Sequence, residues 1–144
     1  MKKILIINGP NLNMLGKREP DIYGDITLKA IEAKIKNLSQ KVRVEVSFFQ
    51  SNSEGEIITE IQKAQETFDG IIINPAGYSH TSIAIRDAIA AIKLPVIEVH
   101  ISNIYAREDF RKHSYISEVC MGQIAGFGVD GYLFALIRLA HHNL

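Results

Sequence analysis

Apolar residues recur along the chain in short unbroken runs: Ile4-Leu5-Ile6-Ile7, Ile71-Ile72-Ile73, and Val96-Ile97 continuing to Val99. Runs of this length without polar alternation suit strands covered on both faces, as in a parallel sheet. Val42-Arg43-Val44-Glu45-Val46 alternates instead. It predicts a strand with one wet face, at a sheet edge. Gln123-Ile124-Ala125 is a weaker fifth strand. Between these runs the period changes to three and four. Leu28, Ile31, Ile35 and Leu38 fall on one helix face, and Ile57, Ile61, Ala64 and Phe68 do the same. Ser53 followed by Glu56 has the spacing of a capping box at the start of that second helix. Ile85, Ala88, Ile89 and Ile92 predict a third helix, stopped by Pro95. Leu133, Phe134, Ile137 and Ala140 predict the last, with His141 and His142 at the end where cations complement the helix dipole.

The resulting order is β-α-β-α-β-α-β-(short helix)-β-α. Such alternation predicts an α/β fold, an open five-stranded parallel sheet with helices on both faces. Repeats, low-complexity stretches and linkers are not evident, so residues 1–144 read as a single domain. A chain near this length buries about 70% of its unfolded surface, enough for a substantial core.

Composition narrows the class. At 47% hydrophobic residues the chain is too apolar for disorder. The 16 Lys+Arg against 16 Asp+Glu give zero net charge, which argues against a polyanion or anionic-membrane binder. Cys120 is the single cysteine and suits a reducing compartment, where it reads as a small buried hydrophobe rather than a nucleophile. No segment approaches the roughly 18 apolar residues of a membrane span. The basic start, Met1-Lys2-Lys3, meets only four apolar residues before Asn8-Gly9-Pro10, too few for a signal peptide. A cytoplasmic protein is expected.

In open α/β sheets, ligands bind beyond the carboxyl ends of the strands. Here those ends are polar. Strand 1 runs into Asn8-Gly9-Pro10-Asn11-Leu12-Asn13, strand 3 into Asn74-Pro75-Ala76-Gly77-Tyr78-Ser79-His80-Thr81, and strand 4 into Glu98-Val99-His100-Ile101-Ser102-Asn103. Three polar loops at one edge predict a site. The stretch 16–24 is polar, bracketed by glycines and longer than the usual connection of about two to six residues, which favours a lid. Glu98 and His100 are two apart on a strand, so they share a face and Glu98 can orient His100.

Several chemistries are excluded. Residues 126–131 match G-x-G-x-x-G, but only thirteen residues follow Gly131, leaving no room for the ribose-binding acid about 20 residues on. Those glycines read as a tight turn and close packing. Asn8 and Asn74 stand where a phosphorelay receiver would need acids. A P-loop and Cys/His metal spacing are both missing, and His113 stands alone.

Tyr23 shares the lid with Arg18. A guanidinium favours the phenolate, and so lowers a tyrosine pKa from its usual value of about 10. Such a pair can remove an acidic carbon-bound proton, while His100 protonates a leaving hydroxyl. Asn11 can hold a water or donate to a developing enolate oxygen. The backbone amides of Ile101 and Ser102 can hold a carboxylate, and Arg111 can close over the ligand from a short helix near 108–112. Composition alone leaves this one reading among several.

The motifs decide more. The chain closely resembles the type II 3-dehydroquinate dehydratases over essentially its whole length. The resemblance rests on Ile7-Asn8-Gly9-Pro10-Asn11-Leu12-Asn13-Met14-Leu15-Gly16, on Arg18-Glu19-Pro20-Asp21-Ile22-Tyr23-Gly24, on Gln50-Ser51-Asn52-Ser53-Glu54-Gly55 and on residues 73–82. Arg86-Asp87-Ala88, residues 98–103, Arg107-Glu108-Asp109-Phe110-Arg111 and residues 126–132 match as well. The resemblance implies a flavodoxin-like fold and conversion of 3-dehydroquinate to 3-dehydroshikimate in the shikimate pathway of aromatic amino acid biosynthesis. It implies Tyr23 as base, Arg18 as the residue that lowers its pKa, Asn11 at the enolate, and His100 as acid oriented by Glu98. Asn74, His80, Ile101, Ser102 and Arg111 resemble substrate-binding positions, and Asp87 the residue that reaches a neighbouring subunit's site. It implies no metal or organic cofactor and a homo-dodecamer built of trimers. The rival reading is a flavodoxin-like module that holds a small anion without turnover, which would need neither base nor acid.

Overall fold

The computed structural model describes residues 1–17 and 19–142, with the side chains of Pro20 and Tyr23 outside the description. Chain order is β1 (Lys3–Asn8), α1 (Pro20–Tyr23), α2 (Leu28–Lys41), β2 (Glu45–Gln50), α3 (Glu54–Thr67), β3 (Gly70–Asn74), α4 (Ile83–Ala91), β4 (Val96–His100), β5 (Gly122–Ala125) and α5 (Asp130–Ala140). All strand pairs are parallel, in the order β2-β1-β3-β4-β5. This is the expected open sheet, with the weak fifth strand present at one edge.

Alternate residues of the central strands feed two cores. Ile4 and Ile6 of β1, Ile72 of β3, and Ile97 and Val99 of β4 pack with Ile31 and Ile35 of α2 and with Tyr132, Ala135, Leu136 and Leu139 of α5. Leu5, Ile7, Ile71, Ile73 and Val96 face the other way, onto Ile57, Ile61 and Ala64 of α3 and Ile85, Ala88 and Ile89 of α4. Strands buried on both faces therefore carry isoleucine without alternation. No helix among the described residues is long and apolar enough to cross a membrane.

Four expectations shift. The edge strand is β2, Glu45–Gln50, rather than 42–46. Val42 caps α2, its N–H donating to Leu38 O at 3.0 Å, and Arg43 turns the chain at φ 59°. The capping box is half formed. Ser53 Oγ accepts from Glu56 N at 3.2 Å, but the Glu56 carboxylate accepts from Ser51 Oγ instead of returning to Ser53 N. In α5 the buried face is Tyr132, Ala135, Leu136 and Leu139, while Phe134 and Ile137 are exposed. Finally, the expected lid loop 16–24 contains the single helical turn α1.

The G-x-G-x-x-G stretch is a turn: Gly126 and Gly128 sit at φ 94° and 60°. A Cβ at Gly131 would meet Val99 Cγ1 at 3.3 Å and Ile124 Cγ2 at 3.4 Å, so α5 lies close against the sheet there.

Candidate active site

The order 2-1-3-4-5 places the switch point between β1 and β3, where ligands bind in folds of this kind. A cleft opens there. Its walls are Pro10, Asn11 and Leu12 beyond β1, Asn74, Ala76, Gly77 and His80 beyond β3, and His100, Ile101, Ser102, Ile104, Arg107 and Arg111 at and beyond β4. Two wall residues, Asn11 and Ala76, hold left-handed backbone at φ 70° and 52°. For alanine that conformation costs roughly 1 kcal/mol, and such strain concentrates at functional sites. A second hollow lies beside α2 and the amino ends of β1 and β2, and none of the predicted site residues lines it.

Glu98 and His100 both project from β4 toward the side covered by α3 and α4. His100 Nε2 lies 2.6 Å from Glu98 Oε2. An ionised carboxylate only accepts, so Nε2 donates and Nδ1 is the nitrogen left for chemistry in the cleft that His100 lines. Glu98 is wholly buried. Burial alone would push its carboxyl up. The His100 hydrogen bond and charge and the hydroxyls of Ser117 and Ser79 outweigh this, bringing it down to about 2. The carboxylate is therefore ionised at neutral pH and holds the ring.

His80 stacks on His100 with ring centroids 6.1 Å apart. Its Nδ1 donates to His113 O at 2.8 Å, leaving Nε2 as an acceptor. Burial lowers the His80 pKa. The bond to the His113 carbonyl opposes that, and the charges of His100 and Arg111 reinforce it, so the ring is neutral around pH 7. Arg111 is held by Glu108 at 3.1 Å and lies over the Phe110 ring at 4.9 Å.

A family model for class II dehydroquinases matches residues 2–140. The chain belongs to that family. A 3-dehydroquinate dehydratase of Endomicrobium trichonymphae is 60% identical over 139 residues, 96% of this chain and 97% of that protein. One of Geotalea daltonii is 56% identical over 140 residues, 97% of each chain. The crystal structure of a type II dehydroquinase from Butyrivibrio crossotus matches with a TM-score of 0.94 at 48% identity, covering 96% of this chain and 97% of that one. The fold of this class II dehydroquinase is thus the flavodoxin-like one its motifs implied.

Of the site residues expected for a dehydroquinase, Asn11, Asn74, His80, His100, Ile101, Ser102 and Arg111 line the cleft, and Glu98 lies behind His100. Asp87 does not. It sits on α4, exposed, 3.1 Å from the Arg86 guanidinium. Tyr23 ends α1, but its side chain, like the whole of Arg18, lies outside the described residues.

Three features escaped the sequence reading. Arg107 lines the cleft, donates to Ser102 Oγ at 3.2 Å and reaches Glu19 of the 16–24 segment at 3.7 Å. Tyr132 is fully buried and fastens Asn74: Asn74 Nδ2 donates to its hydroxyl at 2.9 Å, and that hydroxyl donates to Asn8 Oδ1 at 2.6 Å. Burial pushes the Tyr132 pKa up, keeping the phenol protonated. Third, three serines surround Glu98: Ser79, Ser114 and Ser117. Among these, Arg107, Tyr132 and Ser79 fell inside family motifs, without a role attached. Cys120 is inert as expected, its thiol pushed up to about 12 by burial and by the Glu98 charge.

Proposed function

We propose that the chain is a type II 3-dehydroquinate dehydratase, removing water from 3-dehydroquinate to give 3-dehydroshikimate through an enolate. The observation that carries the reading is the hydrogen-bonded His100–Glu98 dyad on the wall of a cleft rich in neutral donors and guanidinium groups. A module that merely held an anion would need no such acid.

In this reading Tyr23, with its pKa lowered by Arg18, takes the proton beside the ketone. The electron pair moves onto the carbonyl oxygen, where Asn11 stabilises the enolate directly or through a water. Collapse of the enolate expels the hydroxyl beta to the ketone, and His100 supplies its proton from Nδ1, so water leaves. Tyr23 ends protonated and His100 deprotonated, and solvent exchange restores both. The ketone itself is the electron sink. The Ile101 and Ser102 amides hold the substrate carboxylate, Asn74 and neutral His80 take hydroxyls, and Arg111 covers the ligand. The Glu19–Arg107 contact supports the 16–24 segment as a lid over the cleft.

The family resemblance further supports a cytoplasmic homo-dodecamer, a tetramer of trimers in which Asp87 serves a neighbour's site. Its exposed place on α4, away from its own cleft, accords with that. Size-exclusion chromatography with light scattering measures the assembly; a monomer would rule it out. The activity is tested by ultraviolet absorbance of the conjugated enone after adding 3-dehydroquinate. A rise proportional to enzyme is expected, and no rise above background rejects the proposal.

A further inference from the structure

Behind the dyad runs a chain of hydrogen bonds whose directions follow from the ionised Glu98 carboxylate, which only accepts. The Tyr105 hydroxyl, half-exposed in the turn Ile104–Ala106, lies 2.9 Å from Gln123 Oε1 on β5. A carbonyl oxygen only accepts, so Tyr105 donates. Gln123 Nε2 is then turned toward Ser117 Oγ, to which it donates at 2.8 Å. With that lone pair occupied, the single Ser117 proton points at Glu98 Oε1, 2.7 Å away. Glu98 Oε2 in turn accepts from His100 Nε2.

We propose that Tyr105, Gln123 and Ser117 form a positioning relay that fixes the Glu98 carboxylate, and through it the ring of His100, from the outer edge of the sheet. The proposal deepens the dehydratase reading and rests on His100 being the acid in it. The relay works by orientation. Were the Gln123 amide reversed, its oxygen would face Ser117 and compete with Glu98 for the same hydroxyl proton. The ionised Glu98 carboxylate draws the Ser117 proton and so enforces the observed orientation, and the Tyr105 hydroxyl secures it by donating to the Gln123 oxygen turned outward. Ser114 Oγ bridges both oxygens of Glu98 at 3.0 Å, and Ser79 Oγ adds 2.7 Å to Oε2, so the relay supplies the strongest contact on the oxygen remote from His100. The titratable groups facing the dyad are His80 stacked on His100, with Arg111 behind it, and Cys120 beside Glu98.

The test uses the full-length protein in its native assembly. Ser117→Ala is expected to lower kcat about tenfold with KM within about twofold, because the lost donor served a charged acceptor. It should raise by about one unit the pH at which Glu98 takes a proton. That step is read from the acid limb of kcat and, without turnover, from the low-pH step in the His100 imidazole ¹⁵N shift. Ser117→Thr, which keeps the hydroxyl, should restore both. Tyr105→Phe should lower kcat about threefold alone and add nothing in the Ser117→Ala background, since the chain is already cut. An unmoved acid step in Ser117→Ala, a loss that threonine does not restore, or additive effects of Tyr105→Phe and Ser117→Ala would each overturn the relay. Failure of wild type to form enone would instead strike the dehydratase reading, while the ¹⁵N titration still decides the relay.

Discussion

The Tyr132 hydroxyl from α5 lies 2.9 Å from Asn74 Nδ2 at the end of β3, a bond that ties this cleft residue to the helix packed on that face of the sheet. The same hydroxyl donates to Asn8 Oδ1 at the end of β1, so one phenol joins two strand ends across the switch point. Asn74 Oδ1 accepts from Ala76 N at 3.1 Å, which holds the strained Ala76 backbone beside the cleft. Tyr132→Phe keeps the ring but takes the hydroxyl partner from two buried amide atoms, Asn74 Nδ2 and Asn8 Oδ1. Stability is expected to fall by about 2 kcal/mol in urea unfolding, with KM rising as Asn74 loosens. Unchanged stability would mean that the hydroxyl holds nothing.

The strand ends also meet directly. Gly9 N donates to Asn74 O at 2.8 Å, and a Cβ built on Gly9 would lie 2.6 Å from Pro75 O and 2.8 Å from Pro75 C. Backbone offers no flexible end that can swing away. Gly9→Ala is therefore expected to force the two loops apart and cost about 1–3 kcal/mol in urea unfolding. Because both loops wall the cleft, turnover should fall with it. Wild-type stability in this variant would show that the loops part without strain.

How much of this was legible follows from where the signals live. The short aliphatic runs of β1, β3 and β4 mark strands covered twice, and the order of residues alone carries that. The β2 boundary was displaced because Val42 and Val44 mimic alternation while belonging to a helix cap and the turn after it. The face of α5 was misread because Phe134 and Ile137 satisfy helical spacing as well as Tyr132 and Leu136 do, and only packing against Val99 and Ile124 selects one face. The Glu98–His100 dyad was legible because two residues apart on a strand is a local fact. Tyr132, Ser117 and Gln123 act on residues 58, 19 and 6 positions away along the chain, respectively, through contacts that only tertiary packing creates.

The Glu98 carboxyl gives stability a pH dependence of definite sign. Its pKa is depressed to about 2 in the fold from 4.5, so the unfolded chain binds the extra proton between those values. The contribution is fully present above about pH 4.5 and is lost as pH falls toward 2; over that window it amounts to about 3 kcal/mol. Glu98→Gln cannot titrate there. At fixed protein concentration, the stability gap between wild type and Glu98→Gln should narrow by about that amount between pH 5 and pH 2. A gap that stays constant across the window would show that the carboxylate is not held as described.

In the proposed mechanism Tyr23 and His100 act in successive steps, and isotope exchange separates them. Tyr23→Phe removes only the hydroxyl that takes the carbon-bound proton, so enolate never forms. Turnover should fall roughly 10³-fold or more with substrate binding largely kept. Recovered 3-dehydroquinate incubated in D₂O with this variant should carry no enzyme-dependent deuterium beside the ketone. His100→Ala leaves the base in place and removes the proton donor for the departing hydroxyl. Enolate then forms and returns, so deuterium should enter the substrate while enone accumulates roughly 10²-fold or more below the wild-type rate. If Tyr23→Phe still exchanges deuterium, another group is the base. If His100→Ala forms enone at the wild-type rate, the acid lies elsewhere, and the His100–Glu98 pair at 2.6 Å serves the fold alone.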